Sequence, residues 1–535
     1  MQPDLERLWR DAQAHRRAGA AAAAAAACEA IVAADPRRPW AWLMLADLAY
    51  GAGRFRLAVE NARIAAAAVH ESRRWEALAD VAHRLRGLGE SLLAVRAIRE
   101  ADWSDPAVLA GAERLAQCLA LAEQHEDALR ALDAAIARLG PSPDRTYLRA
   151  TTLRHLGRTQ AATDEYLRCL ALAPDHAAAM LMLATQARRL DAEAQIARVH
   201  AALARCAADA PQRAMLEYAL FFLLDGRGDA DAAWQALMRG AAAKRRELRY
   251  DARAEEARDA AIMALCDAAF VAPAHATTQA RVPIFIVGMP RTGTTVLERI
   301  LGNHSQVASA GELDDFHLQL CWQADVCTEE PAAPALLEAC RSLDFAAVGR
   351  GYLQRTSWRG GGRPFLIDKF PRNVLYAGLI RKALPQAKLI CLVRDPLDSC
   401  LSNLKELFAG DYYPYSYDPI ETAGHCLRFR RLLDHWHKVM PGALLEVRYE
   451  ALVREPEATA RAVMAHCGLA FEPGCVDLLR NTSPSATASS SQVREPLHAR
   501  NIGAWRRYAG PLAGARALLE AHLPPDAFAA PPDAA

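Results

Sequence analysis

Ile284-Phe285-Ile286-Val287-Gly288-Met289-Pro290-Arg291-Thr292-Gly293-Thr294-Thr295, continued by Val296-Leu297-Glu298-Arg299-Ile300-Leu301, is the stretch on which the fold of this chain turns. The unbroken apolar run Ile284 to Val287 predicts a buried strand, the glycine-bounded segment a tight turn, and the residues beyond Thr295 a helix. Such a turn brings backbone N–H groups and a helix N-terminus to one point, which makes an anion site. The Thr294 and Thr295 hydroxyls can add donors to phosphate oxygens. A nucleoside triphosphatase loop would read G-x-x-x-x-G-K-[ST], but Thr294 stands at the lysine position and the loop's cation, Arg291, precedes the second glycine. With no obvious magnesium carboxylate either, ATP hydrolysis is disfavoured. A turn with a purely structural task would not call for Pro-Arg-Thr-Gly-Thr-Thr.

On either side of this loop the chain has a different texture. From Arg281 onward, strand-like runs at Ile284 to Val287, Phe365 to Ile367, Lys388 to Val393 and Leu444 to Val447 alternate with long helical patterns. That alternation predicts an α/β domain, a P-loop-like mostly parallel sheet with helices on both faces. Up to about residue 265 the chain is rich in Ala, Leu and Arg and nearly free of strand-like runs. A frame of small residues recurs there: Ala46, Gly53, Ala58 and Ala65, then Ala150, Gly157, Ala162, Tyr166 and Pro174. Leu115, Ala116, Ala128 and Ala135 precede the second set by 34 residues, and Ala12, Gly19, Ala24 and Pro36 precede the first by 34. Small residues at these positions let stacked helix pairs share a continuous core. The array resembles tetratricopeptide repeats over about residues 4–245, which implies an all-α superhelix with a groove for a peptide or protein partner. The expected domains are repeats at 1–265, a linker at 266–280 and an α/β domain at 281–535. The basic run Arg245 to Arg249 reads as a solvated helix face.

The loop resembles the 5′-phosphosulfate loop of sulfotransferases that use 3′-phosphoadenylylsulfate (PAPS), and that resemblance extends to about residue 510. It implies donor contacts from Arg291, Thr292, Gly293, Thr294 and Thr295. An Arg at a strand end with a Ser eight residues on, here Arg394 and Ser402, would hold the 3′-phosphate, and Tyr449 of Arg448-Tyr449-Glu450 would meet adenine. The stretch Ser489-Ser490-Ser491-Gln492-Val493-Arg494-Glu495-Pro496 is similar to one that lies over the nucleotide in tyrosylprotein sulfotransferases. There Ser489 would stand near the transferred group, with Ser490, Gln492, Val493 and Arg500 on the donor.

Sulfuryl transfer needs cations on the nonbridging and leaving oxygens and a base for the acceptor proton. Lys369, directly after a buried strand, is the second cation beside Arg291. The histidine base of the small-molecule branch is replaced by Pro371, and Glu312 of Gly311-Glu312 matches the catalytic Glu of the tyrosylprotein branch. By the residues alone, Asp314 or Asp315 could serve instead. Val296 and Glu406 depart from the family, standing where an aromatic and an Arg occur in one branch or the other. The expected activity is transfer from PAPS to a hydroxyl, or an amine, without a metal. The rival readings are a repeat scaffold with a nucleotide-binding but inactive domain, and a P-loop kinase.

Composition sets the outer bounds. At 535 residues at least two domains are expected, and 24% charged residues excludes collagen-like and disordered classes. Lys and Arg number 64 against 63 Asp and Glu, so a formal charge of +1 gives no general drive toward nucleic acid or membrane. The 13 cysteines are scattered without a C-x-x-C pair, and the first residues lack the pattern of a secretory signal. Both point to the cytoplasm. His425, His435 and His437 lack ligand spacing and read as ordinary helix residues. Because the two halves carry separate signals, a fragment starting near residue 275 is expected to fold and bind nucleotide alone.

Overall fold

The computed structural model describes residues 4–186, 191–272, 281–486 and 494–528. Every regular element described up to residue 272 is helical. Consecutive helices pack as pairs, such as Leu5–Arg17 on Ala21–Ala34 and Pro39–Gly51 on Phe55–Ser72. The frame residues Ala12, Ala24, Ala46, Ala58, Ala65, Ala116, Ala128, Ala135, Ala150 and Ala162 are all buried. A larger side chain at any of them would push neighbouring helices apart. Gly53 and Gly157 join the two helices of a pair with φ of +77° and +79°, a region that L side chains rarely adopt.

The chain divides into two compact units that do not follow the change of texture near residue 265. The first is Met1–Thr152 with Leu313–Arg359, so a segment from within the α/β half joins the early helices. Its helices Asp315–Ala324, Pro334–Cys340 and Phe345–Thr356 are held there by polar bonds. The Arg56 N–H donates to Asp325 Oδ1 at 2.8 Å, and its guanidinium donates to the Trp322 and Gln323 carbonyls. Arg355 donates to the Gly89 carbonyl at 2.9 Å and Arg359 to that of Ala122 at 3.2 Å.

The second unit, Leu153–Glu312 with Gly360–Ala535, holds the sheet. Its strands are β1 (Val282–Gly288), β2 (Val307–Ser309), β3 (Phe365–Asp368), β4 (Lys388–Val393) and β5 (Leu444–Arg448), in the order β2-β3-β1-β4-β5. All four pairings are parallel. Four of the five strands are those expected from apolar runs; β2 has three residues and leaves too short a run to be read. Ile284, Ile286, Ile367, Ile390, Leu392 and Val447 pack with Leu297, Ile300 and Leu301 of the helix after β1 in one buried cluster.

Residues 153–272 belong to this unit and cover part of the α/β region. Tyr218 Oη donates to the Leu404 carbonyl at 2.9 Å. The Arg245 guanidinium makes two bonds to Glu421, each 3.0 Å, so this part of the basic run is an internal tie and not a solvated face. Arg428, nearly buried, donates to Tyr250 Oη at 2.6 Å and to Glu255 at 2.7 Å. A fragment of residues 275–535 would keep Arg428 and lose both partners. The cut would also strip cover from the α/β helices, where Cys266 and Val271 pack at Gly378 and Tyr218 bonds Leu404, and only roughly 5–15 kcal/mol stabilises a domain. That fragment is therefore expected to be insoluble or to melt far below the full chain. A soluble fragment with a cooperative calorimetric transition at the full-length midpoint would refute this.

Candidate active site

The C-terminal ends of all five strands, or the residues directly after them, supply the site, as expected of an open parallel sheet. β1 runs into the loop at Gly288, where an added Cβ would lie 2.6 Å from the Leu392 carbonyl oxygen of β4. Gly293 has φ +101° and precedes the helix Thr294–Gly302; a Cβ there would lie 2.5 Å from the Tyr449 ring. Both glycines are thus required by close approach as well as by conformation. Arg291 adopts φ +67°, unusual for a residue with a side chain. The loop's carbonyls are engaged from outside: Thr292 Oγ1 donates to Met289 at 2.8 Å, Asn403 Nδ2 to Pro290 at 3.0 Å, and Arg394 Nη1 to Arg291 at 3.2 Å. A loop whose carbonyls are held in this way can turn its N–H groups toward an anion at the start of the helix Thr294–Gly302.

Arg394 follows β4, and the spacing that singled out Ser402 places its Oγ 2.9 Å from Arg394 Nη1. Asp395 caps the intervening helix Pro396–Leu404 by accepting from the N–H groups of Leu397 and Asp398. Arg394 also donates to the Asn501 carbonyl, stands 3.8 Å from Asp398, and lies over the Tyr449 ring with 4.7 Å to the centroid. Its Nε is buried without a partner among the described residues. A guanidinium N–H left over in this way, beside a serine hydroxyl and an aromatic face, suits a phosphate oxygen.

Glu312 and Lys369 meet on the other side of β1. The Lys369 N–H donates to the Gly311 carbonyl at 2.9 Å and the Ala310 N–H to the Ile367 carbonyl at 2.9 Å, so the segment after β2 pairs along β3. The fully buried Lys369 ammonium donates to the Glu312 carboxylate, which is exposed on its other side, and lies 4.0 Å from Glu298. Asp315 starts a helix of the first unit and is buried, its carboxyl pushed above the usual range by burial against the pull of Arg359 and Arg355.

Residues 283–473 match the sulfotransferase family model. The match begins within β1 and ends beyond β5. An uncharacterized protein of Aquifex aeolicus is 32% identical over 305 residues, covering 55% of this chain and 40% of that one. The chain thus spans well under half of that relative's length. Protein-tyrosine sulfotransferase 2 of Gallus gallus is 26% identical over 284 residues, covering 47% of this chain and 71% of its own. Among solved structures, the sulfotransferase domain of the Synechococcus PCC 7002 olefin synthase covers 48% of this chain and 98% of itself at 18% identity and a TM-score of 0.34.

Within this sulfotransferase-matching region, Arg291 Nε lies 3.7 Å from Glu406, the residue that departs from the tyrosylprotein pattern. Val296 is half-buried on the helix after the loop. Further along the chain, Arg500 is exposed and donates to Glu495 at 2.8 Å. Ser489, Ser490, Gln492 and Val493 lie outside the described residues.

Three groups escape a reading of the sequence. Glu450, next to Tyr449, accepts the Asp395 N–H at 2.8 Å and ties the end of β5 to that of β4. Asp398 accepts the N–H groups of Gly503 at 2.6 Å and Trp505 at 3.0 Å, which fastens residues 501–505 beside Arg394. Arg299, on the loop's helix, donates to the Asn481 and Ser483 carbonyls, and burial together with Arg494 lowers its pKa to about 10. A carboxylate inside the Arg394 to Ser402 stretch is a visible signal for Asp398. Nothing local marks Arg299.

Proposed function

We propose that this protein is a sulfotransferase, moving the sulfuryl group of PAPS to a hydroxyl, or an amine, and releasing adenosine 3′,5′-bisphosphate. In this reading the α/β region from residue 281 carries the reaction, and the tetratricopeptide-type helices up to about residue 265, those after Thr152 lying in the same unit as the sheet, offer a surface for a protein, peptide or substrate partner. The observation that carries it is the Arg394–Ser402 bond beside a lysine-less phosphate loop, with an Arg394 Nε that has no partner among the described residues. A third phosphate is what a kinase site would hold by its loop lysine, and this loop has Thr294 there.

The donor supplies an activated sulfuryl group; the chain's residues bind, orient and neutralise. Arg394 and Ser402 hold the 3′-phosphate, Tyr449 meets the adenine, and Arg291, Thr292, Gly293, Thr294 and Thr295 cradle the 5′ end. Ser489, Ser490, Gln492, Val493 and Arg500 complete the donor contacts. Glu312, held against Lys369, takes the acceptor's proton as the new O–S bond forms and the S–O bond to the 5′-phosphate breaks. The charge that gathers on the leaving phosphate is met by Lys369 and Arg291, with Ser489 near the transferred group. No metal enters this scheme.

Among the described residues no helix is long and apolar enough to cross a membrane. The scattered thiols support a reducing compartment, and we place the protein in the cytoplasm.

The deciding experiment is a calorimetric titration of adenosine 3′,5′-bisphosphate beside ATP on the full chain. The bisphosphate is expected to bind at least tenfold more tightly, the worth of roughly one charge-assisted bond. Preference for ATP would turn the reading toward a kinase, and binding of the bisphosphate without any sulfuryl transfer would favour the inactive scaffold.

A further inference from the structure

Asp225 lies near the end of the helix Gln212–Arg227, in the half of the chain that carries the repeat pattern and no nucleotide motif. Its carboxylate gathers groups from two segments far along the chain. Lys405 Nζ stands 3.5 Å from Oδ2, Arg507 Nη1 3.0 Å from Oδ1, and Tyr508 Oη donates to Oδ1 at 2.6 Å. The Asp225 carbonyl accepts a further bond from Arg507 at 2.9 Å. About two turns earlier on the same helix, the buried Tyr218 donates to the Leu404 carbonyl. Phe221, between them, lies under the Lys405 ammonium at 5.3 Å. Burial pulls Lys405 below its usual pKa, and Asp225 opposes that pull.

Both gathered segments end at the 3′-phosphate grip. Leu404 and Lys405 close the helix Pro396–Leu404, which carries Ser402 and Asp398, and the next residue, Glu406, stands against Arg291. Arg507 and Tyr508 belong to the segment whose other end bonds Asp398 through Gly503 and Trp505 and receives Arg394 on the Asn501 carbonyl. A carboxylate that pins the far ends of both segments restricts how far Arg394 and Ser402 can separate.

We propose that Asp225 is a positioning residue for the donor's 3′-phosphate: the helical hairpin Gln212–Arg227 and Ala230–Glu247 completes the donor site by fixing the helix that carries Ser402 and the segment that receives Arg394. This rests on the sulfotransferase reading above. The last part of the helical region then serves the nucleotide and not only a partner.

The test uses the full chain and measures binding of adenosine 3′,5′-bisphosphate and of 5′-AMP. Asp225→Asn keeps the side chain's size and removes its charge. It is expected to weaken the bisphosphate about tenfold, with 5′-AMP changed less than about twofold. Tyr508→Phe, which removes one hydroxyl, is the milder second variant and should shift the same ratio in the same direction. In an Arg394→Ala background, Asp225→Asn should cost nothing further, because the group it positions is gone. Equal losses for both nucleotides, or full additivity with Arg394→Ala, would show that Asp225 only supports the fold and would overturn the proposal. A wild-type chain with no preference for the bisphosphate over 5′-AMP would remove the sulfotransferase reading itself, a failure visible before any variant is made.

Discussion

Glu312→Gln is expected to lower turnover by about 10²- to 10⁴-fold while leaving the affinity for adenosine 3′,5′-bisphosphate nearly unchanged, because an amide cannot accept the acceptor's proton. The substitution is a clean one. The amide oxygen can still receive the Lys369 ammonium, and Glu298 at 4.0 Å keeps a carboxylate beside it, so the folded protein should persist. An acidic phenol as acceptor should restore part of the rate, since it ionises with less help. Lys369→Ala should slow transfer for a different reason, loss of charge on the leaving oxygen, and its defect should remain at high pH where the acceptor ionises unaided. Sulfuryl transfer to a phenol series across pH separates the two. Wild-type rates in Glu312→Gln would move the base to Asp314 or to a residue outside this segment.

The second large effect is expected from Arg394→Ala, which should weaken adenosine 3′,5′-bisphosphate by about 10- to 100-fold, the range given by losing a charge-assisted bond to phosphate. Ser402→Ala should follow the same pattern with a smaller loss. Arg394 also supports the Arg291 carbonyl and lies over the Tyr449 ring, so 5′-AMP should weaken somewhat as well. The informative quantity is the ratio of the two losses. An unchanged ratio would mean that Arg394 holds the loop together and does not meet a 3′-phosphate. Asp398, buried beside Arg394 and raised in pKa by that burial, retains the Gly503 and Trp505 N–H groups in the variant, which argues that the pocket survives.

The two halves of the site differ in how much of each is legible in the order of residues. The proposed phosphate loop is legible as a motif, because Gly288, Gly293 and the threonines lie within eight residues, but the Leu392 carbonyl, the Tyr449 ring and the Asn403 and Arg394 donors that fix it are not. Arg394 and Ser402 are legible as a spacing. That Lys369 Nζ bonds Glu312, 57 positions away, can be named only through a family resemblance; the strand order β2-β3-β1 is what brings their segments side by side.

Most of which residues form helix and which form strand is written in the amino-acid sequence, the three-residue β2 excepted. Apolar runs of strand length, helical periodicity and the small-residue frame record whether each side chain faces core or water, and that is a local property. Which core each face joins is a property of the folded chain alone. Residues 313–359 carry ordinary amphipathic helices, yet they pack with Met1–Thr152, and Asp225 carries no motif, yet it collects Lys405, Arg507 and Tyr508. Periodicity marks a face as buried without naming its partner. The partner is fixed by pairings between residues hundreds of positions apart, whose complementarity of shape and charge exists only once the chain has folded.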